Sequence, residues 1–135
     1  NMYMENYLRL SNRLRITSSW VMKHKQGDFA QCHQHKNSII SGVLYLQTKK
    51  GAGNLIFNRN NFLSPSFEFD RIESTPLNTE DMEFNVDTGT LLLFPSNLHH
   101  YTDVQPFADY QRVCLAFNTF IDESIGNGDT RIELK

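Results

Sequence analysis

The chain has 135 residues, with 13 Lys and Arg against 15 Asp and Glu, a formal net charge of -2, 39% hydrophobic residues and 21% charged ones. The length suits one domain spanning 1–135. The composition excludes a disordered chain, and the balanced charge leaves no basic stripe for nucleic acid or an anionic membrane. Ten Phe and five Tyr with only four Pro favour strands.

In chain order, residues 2 to 13 read as a short helix, because Tyr3, Tyr7, Leu8 and Leu10 fall near helical spacing without Gly or Pro. From Leu14 the period changes to two: Leu14, Ile16, Ser18, Trp20 and Met22 alternate with Arg15, Thr17, Ser19 and Val21, as in a strand. Lys23 to Gly27 is a polar turn, and His24 in it is expected to be solvated. Phe29 to His35 is a candidate short strand, Ile39 to Thr48 a stronger one, and Asn54 to Asn58 another. Arg59 to Asn85 is irregular, with Pro65, Pro76 and scattered apolar residues such as Phe62, Leu63 and Phe69, and is expected to form strand and loop at the rim of the fold. The acidic run Glu80, Asp81, Glu83 reads as a surface face. Thr90 to Phe94 is predicted to be a buried strand and Gln111 to Phe117 the last clear one. Some eight short strands with little helix imply an all-β sandwich or jelly roll.

No apolar run approaches the ~20 residues of a membrane helix. The N-terminus shows neither a basic start nor an apolar signal core. Two cysteines, Cys32 and Cys114, are too few for a disulfide scaffold, which predicts free thiols in a reducing cytoplasm. Asn rather than Met at position 1 points to residues upstream of this sequence, with the helix at 2–13 as the tail of a longer N-terminal part.

Three signals carry chemistry. In His33-Gln34-His35, residues i and i+2 of an extended segment face the same side, so both imidazoles can reach one metal, although such a triplet also occurs by chance. Gly89, an apolar strand and Pro95 are followed by His99 and His100, which suits a ligand at a barrel mouth or two solvated loop histidines. Arg112 lies twelve residues beyond His100 on a strand whose Val113, Leu115 and Phe117 form one apolar face. Arg112 shares the other face with the small Cys114 and Ala116, so its guanidinium either reaches solvent at an edge or lines a cavity and binds an anion.

In this order the residues resemble the double-stranded β-helix of the Fe(II)/2-oxoglutarate-dependent dioxygenases. Over about residues 16 to 118 the chain is similar to a family of small oxygenases of bacteria and phages. The likeness rests on three segments: His33-Gln34-His35 through Asn37-Ser38 and Ser41-Gly42-Val43 to Tyr45; Gly89 through Phe94-Pro95-Ser96 to His100; and Arg112 through Cys114 to Phe117-Asn118. The resemblance implies an all-β double-stranded β-helix with a short N-terminal helix. It also implies Fe(II) held by His33, His35 and His100 rather than His99, and 2-oxoglutarate with its far carboxylate on Arg112. His35 stands where the superfamily has a carboxylate ligand, as in the small-oxygenase family. Cys114 stands where Arg-x-Ser has its Ser, and Tyr45 could supply a phenol instead.

The expected partners are 2-oxoglutarate, O2 and a small-molecule or protein substrate, with a homodimer also open and substrate information placed in the rim segment 59–85. A second resemblance is to the cupins, through Gly27, His33 and His35, then Gly89, Pro95 and His100. Ile39 and Ile40 stand where the cupin Glu would fall. It implies the same fold and ligands with different chemistry, a three-histidine dioxygenase, isomerase or metal-binding module, and Arg112 favours 2-oxoglutarate. A non-catalytic jelly roll with incidental histidines is the third alternative.

Overall fold

Alternating side chains from Leu14 onward make strands, and the computed structural model, which describes residues 2–58, 70, 72–73, 75 and 79–134, arranges them in two main antiparallel sheets. In chain order the strands are β1 (Leu14–His24), β2 (Ile40–Gln47), β3 (Leu55–Asn58), β4 (Asp81–Phe84), β5 (Leu91–Pro95), β6 (His99–Thr102), β7 (Arg112–Ile121), β8 (Ser124–Ile125) and β9 (Ile132–Glu133). The larger sheet has the order β1-β7-β2-β5 and the smaller β4-β3-β6, with β8 and β9 as a separate hairpin. Val43 and Tyr45 of β2, Phe94 of β5 and Cys114 and Ala116 of β7 pack onto Leu55 and Phe57 of β3, so the core lies between the two main sheets. This is the jelly-roll arrangement, predominantly β as expected.

Several local expectations change. The predicted helix at 2–13 contracts to a π-helical turn, Tyr3–Leu8, closed by Arg9 in the left-handed region (φ 56). Only Met4 is buried there, while Tyr7, Leu8 and Leu10 stay exposed; so short a helix needs packing along one face to persist. Phe29 to His35 forms no regular strand. It runs beside β6 with a single bridge, His33 to His100, bonded in both directions at 2.9 Å. Ala30 N–H goes to the Thr102 side-chain oxygen instead of a backbone carbonyl, which interrupts the ladder. β5 is an edge strand with Leu91 half exposed and Pro95 exposed, not a buried one; Pro is tolerated there because an edge needs fewer donors.

β7 extends to Ile121, and the β8-β9 hairpin follows where no strand was expected. Within β7 the apolar face is the outer one: Val113, Leu115 and Phe117 are half-buried, while Arg112, Cys114 and Ala116 are fully buried. Gly42 makes this packing possible, because a Cβ there would meet the Phe117 ring. Of the rim segment 59–85, β4 is described; the expectations for 59–69, including Phe62, Leu63 and Phe69, lie outside the described residues. No described helix is long and apolar enough to cross a membrane.

Candidate metal centre and anion pocket

The bridge between the 33–35 segment and β6 brings three histidines together. His33, His35 and His100 each offer one ring nitrogen, and these atoms lie within 4.8 Å of one another. His100 sits on β6, beyond the end of β5, and is 4% exposed, whereas His33 is exposed, so the cluster is deep on one side and open on the other. His99 takes the opposite face of the strand, half-buried.

The hydrogen bonds behind the rings determine which nitrogens face the centre. A carbonyl oxygen can only accept, so each ring nitrogen bonded to one must carry its proton. His33 Nδ1–H donates to the Gln31 carbonyl at 2.6 Å, His100 Nδ1–H to the Leu98 carbonyl at 2.9 Å, and His35 Nδ1–H to Asn118 Oδ1 at 2.6 Å. In the neutral imidazole form, the one that ligates metals, each ring therefore presents a bare Nε2 lone pair. His33 and His35 Nε2 approach to 3.3 Å, and in this neutral tautomer no proton lies between them. Lone pairs so close repel each other unless a cation lies among them, and neutral imidazole nitrogens are the donors a transition metal prefers. The residues present thus fit a bound metal ion.

His35 has the most elaborate support. Ser41 Oγ lies 2.8 Å from its Nδ1 and donates to Asn118 Oδ1 at 2.8 Å. Ser41 and Ser96 hydroxyls are 2.8 Å apart, Ser96 donates to Ser38 at 2.8 Å, and Ser38 donates to the Thr119 carbonyl at 3.1 Å. Ser41 of β2 and Asn118 of β7 converge on one ring atom, and Ser96, just past the end of β5, buttresses Ser41. Their signal in the sequence was polarity inside apolar strands, but only the β2-β5 and β2-β7 registers show that they meet. Burial, foremost, lowers the His35 and His100 pKa values below the ordinary 6.5, that of His100 to about 4, so His100 is neutral at pH 7.

Arg112, Tyr45 and Cys114 line the same cavity as the three histidines, a space of about 70 Å3 walled by Met22, Val43, Leu55 and Ala116. Tyr45 and Cys114 are directly opposed across β2 and β7. Burial pushes the Tyr45 phenol up to about 12 and raises the Cys114 thiol, so both are protonated at neutral pH. Arg112 is 1% exposed and has no carboxylate partner among the described residues. Its Nη1 donates to the Gly53 carbonyl, its Nη2 to His24 Nδ1 at 2.6 Å, and its Nε is buried without a partner. A buried cation with an unmet donor fits an anionic ligand. Of the two readings of Arg112, edge or cavity, the structure shows the cavity.

His24 was expected in solvent but is half-buried against Arg112, since β1 continues through it and its register partner on β7 is Arg112 itself. The clue in the sequence was parity, for His24 shares a face with Trp20 and Met22. Trp20, on the exposed edge strand, has its ring 5.7 Å from that of His35. Cys32 is exposed and is not a member of the histidine cluster, and Asp81 accepts bonds from Asn58 and Tyr101 at the surface.

The family model described as "Putative 2OG-Fe(II) oxygenase" matches residues 18–118. No curated protein sequence matches the chain. Among solved structures, an oxidoreductase of the 2OG-Fe(II) oxygenase family from Burkholderia pseudomallei is 12% identical, with a TM-score of 0.64 over 87% of this chain and 50% of that one. HygX from Streptomyces hygroscopicus, solved with nickel and 2-oxoglutarate bound, is 12% identical, with a TM-score of 0.56 over 88% of this chain and 61% of its own. A Pseudomonas putida prolyl-4-hydroxylase is 17% identical, with a TM-score of 0.52 over 87% and 59%. At such identities these likenesses establish the fold, and the chain spans half to three-fifths of the length of these relatives.

Proposed function

The chain belongs to the 2OG-Fe(II) oxygenase family, and on that premise we propose that it binds Fe(II) through His33, His35 and His100 and 2-oxoglutarate through Arg112. The observation that carries this reading is one cavity lined by two complementary groups. One is the trio of histidines with their ring nitrogens close together, and the other is a buried guanidinium without a carboxylate.

Charge argues for the same ligands. Three neutral imidazoles leave a divalent ion uncompensated, and Arg112 adds a further positive charge. A dicarboxylate suits both groups, with one carboxylate toward the histidines and the other on the guanidinium fork. Tyr45, protonated and buried, has a phenol able to donate to that ligand, and Cys114 contributes a small, weakly polar wall where a serine would have donated. The apolar walls from Met22, Val43, Leu55 and Ala116 keep competing water from the anion. Bound Fe(II) supplies the O2 chemistry that couples oxidative decarboxylation of 2-oxoglutarate to oxidation of a substrate; the chain's own groups hold and orient the reactants. The substrate is an organic small molecule or a protein. The proposed location is the cytoplasm, which suits the unpaired thiols of Cys32 and Cys114.

The test is anaerobic addition of 2-oxoglutarate to Fe(II)-loaded protein. A visible metal-to-ligand charge-transfer band is expected. His33→Ala and His100→Ala should lose the metal, whereas Arg112→Ala should keep it and need far more 2-oxoglutarate to form the band. Wild-type metal content in both histidine variants would remove the ligand assignment.

A further inference from the structure

We propose that His24 is a positioning residue for the cosubstrate-binding arginine: its neutral imidazole holds Arg112 so that Nε faces the anion pocket. The inference rests on the 2-oxoglutarate reading of Arg112 and extends it to a residue on a different strand.

The chemistry of the pair assigns the roles. A guanidinium can only donate, so at 2.6 Å the His24 Nδ1 must accept from Arg112 Nη2, and His24 carries its own proton on Nε2. The direct opposition of His24 and Arg112 across β1 and β7 fixes the approach of the two side chains. On the other side, Nη1 donates to the Gly53 carbonyl, and Gly53 adopts φ +89 where an added Cβ would sit 3.0 Å from Nη1. The guanidinium is therefore held at both terminal nitrogens by neutral acceptors. Neither acceptor cancels its charge, and the Nε–H stays without a partner in the buried cavity.

A carboxylate at the same place would have formed an ion pair and competed with an incoming anion. An imidazole lone pair orients the fork while leaving its charge for the ligand. The need for such support is sharpened by Cys114, which lacks the hydroxyl that would otherwise share the anion. Burial, and then Arg112 itself, lower the His24 pKa, consistent with the neutral acceptor form.

The test compares wild type, His24→Leu and His24→Asn as anaerobic Fe(II) proteins titrated with 2-oxoglutarate, following the charge-transfer band and measuring bound iron separately. Asn can place its carbonyl where Nδ1 lies; Leu offers no acceptor. His24→Leu should bind 2-oxoglutarate about tenfold more weakly or worse. His24→Asn should recover most of that affinity, and iron content should be equal in all three. Should His24→Leu fail to fold, His24→Ala, which also lacks a side-chain acceptor, replaces it with the same expectation. Equal or tighter 2-oxoglutarate binding by the acceptor-free variant, with a band in wild type, overturns the positioning role alone. A wild type that forms no band overturns the cosubstrate reading and the role of His24 together.

Discussion

The smallest decisive feature is the protonation pattern of the three imidazoles. Each Nδ1 is committed to a carbonyl oxygen, so each Nε2 is committed to the centre before any ion arrives. For His33 and His100 the acceptor is a backbone carbonyl two residues earlier, which any side chain there would leave in place. For His35 it is the side chain of Asn118, and this bond can be removed by mutation. Asn118→Ala should weaken metal affinity by about 10- to 100-fold with the fold retained, because the ring loses its orientation and preferred tautomer. Competition with a chromophoric chelator measures this, and unchanged affinity would show that Ser41 alone holds the ring. The motif made His33, His35, His100 and Arg112 readable from residue type and spacing. The roles of Asn118 and His24 were not readable, because their partners are far away in the chain and meet them only across a strand pair.

At the level of elements, β7 shows how misleading an apolar face can be. Val113, Leu115 and Phe117 form the apolar face, yet they face outward and are only half-buried. The interior face holds Arg112, Cys114 and Ala116, since a cavity for a ligand needs small residues around a charged one. The loop between β2 and β3 serves the same end. Gly53 brings its carbonyl to Arg112 from a left-handed backbone, and a Cβ there would lie 2.7 Å from the Asp103 carbonyl. Gly53→Ala is expected to destabilise the protein by about 1–3 kcal/mol from backbone strain and to weaken 2-oxoglutarate binding as well. Urea denaturation and the anaerobic titration measure the two effects. A purely structural glycine would change the first and leave the second alone. Segment 29–35 was expected to be a short strand, but its pairing is irregular because a Thr102 hydroxyl takes a backbone donor, which strand propensity does not encode.

For the whole molecule, stability and site share one interior. Tyr45 is 1% exposed in the core cluster and also lines the cavity. Its unfolded phenol ionises near 10 and its folded one near 12. Between those values only the unfolded chain gives up the proton, so the contribution is intact below pH 10 and is lost as pH rises toward 12, by about 2–3 kcal/mol in all. Urea midpoints at pH 9, 10 and 11 should therefore fall more steeply for wild type than for Tyr45→Phe. Parallel slopes would mean that the phenol reaches solvent.

The amino-acid sequence by itself determined the class of fold and named the residues of the proposed site. A period of two, frequent turns and aromatic residues specify strands locally, and the His-x-His, distal His and Arg pattern is a matter of residue type and order. Tertiary structure alone decided which face of β7 is inside, that Phe29 to His35 pairs through one bridge, and that His24 and Asn118 stand behind Arg112 and His35. The reason is physical. Local sequence sets the alternation of a strand, but which side of that alternation is buried depends on strand register and on the sheet that packs against it, and both are settled by residues distant in the chain.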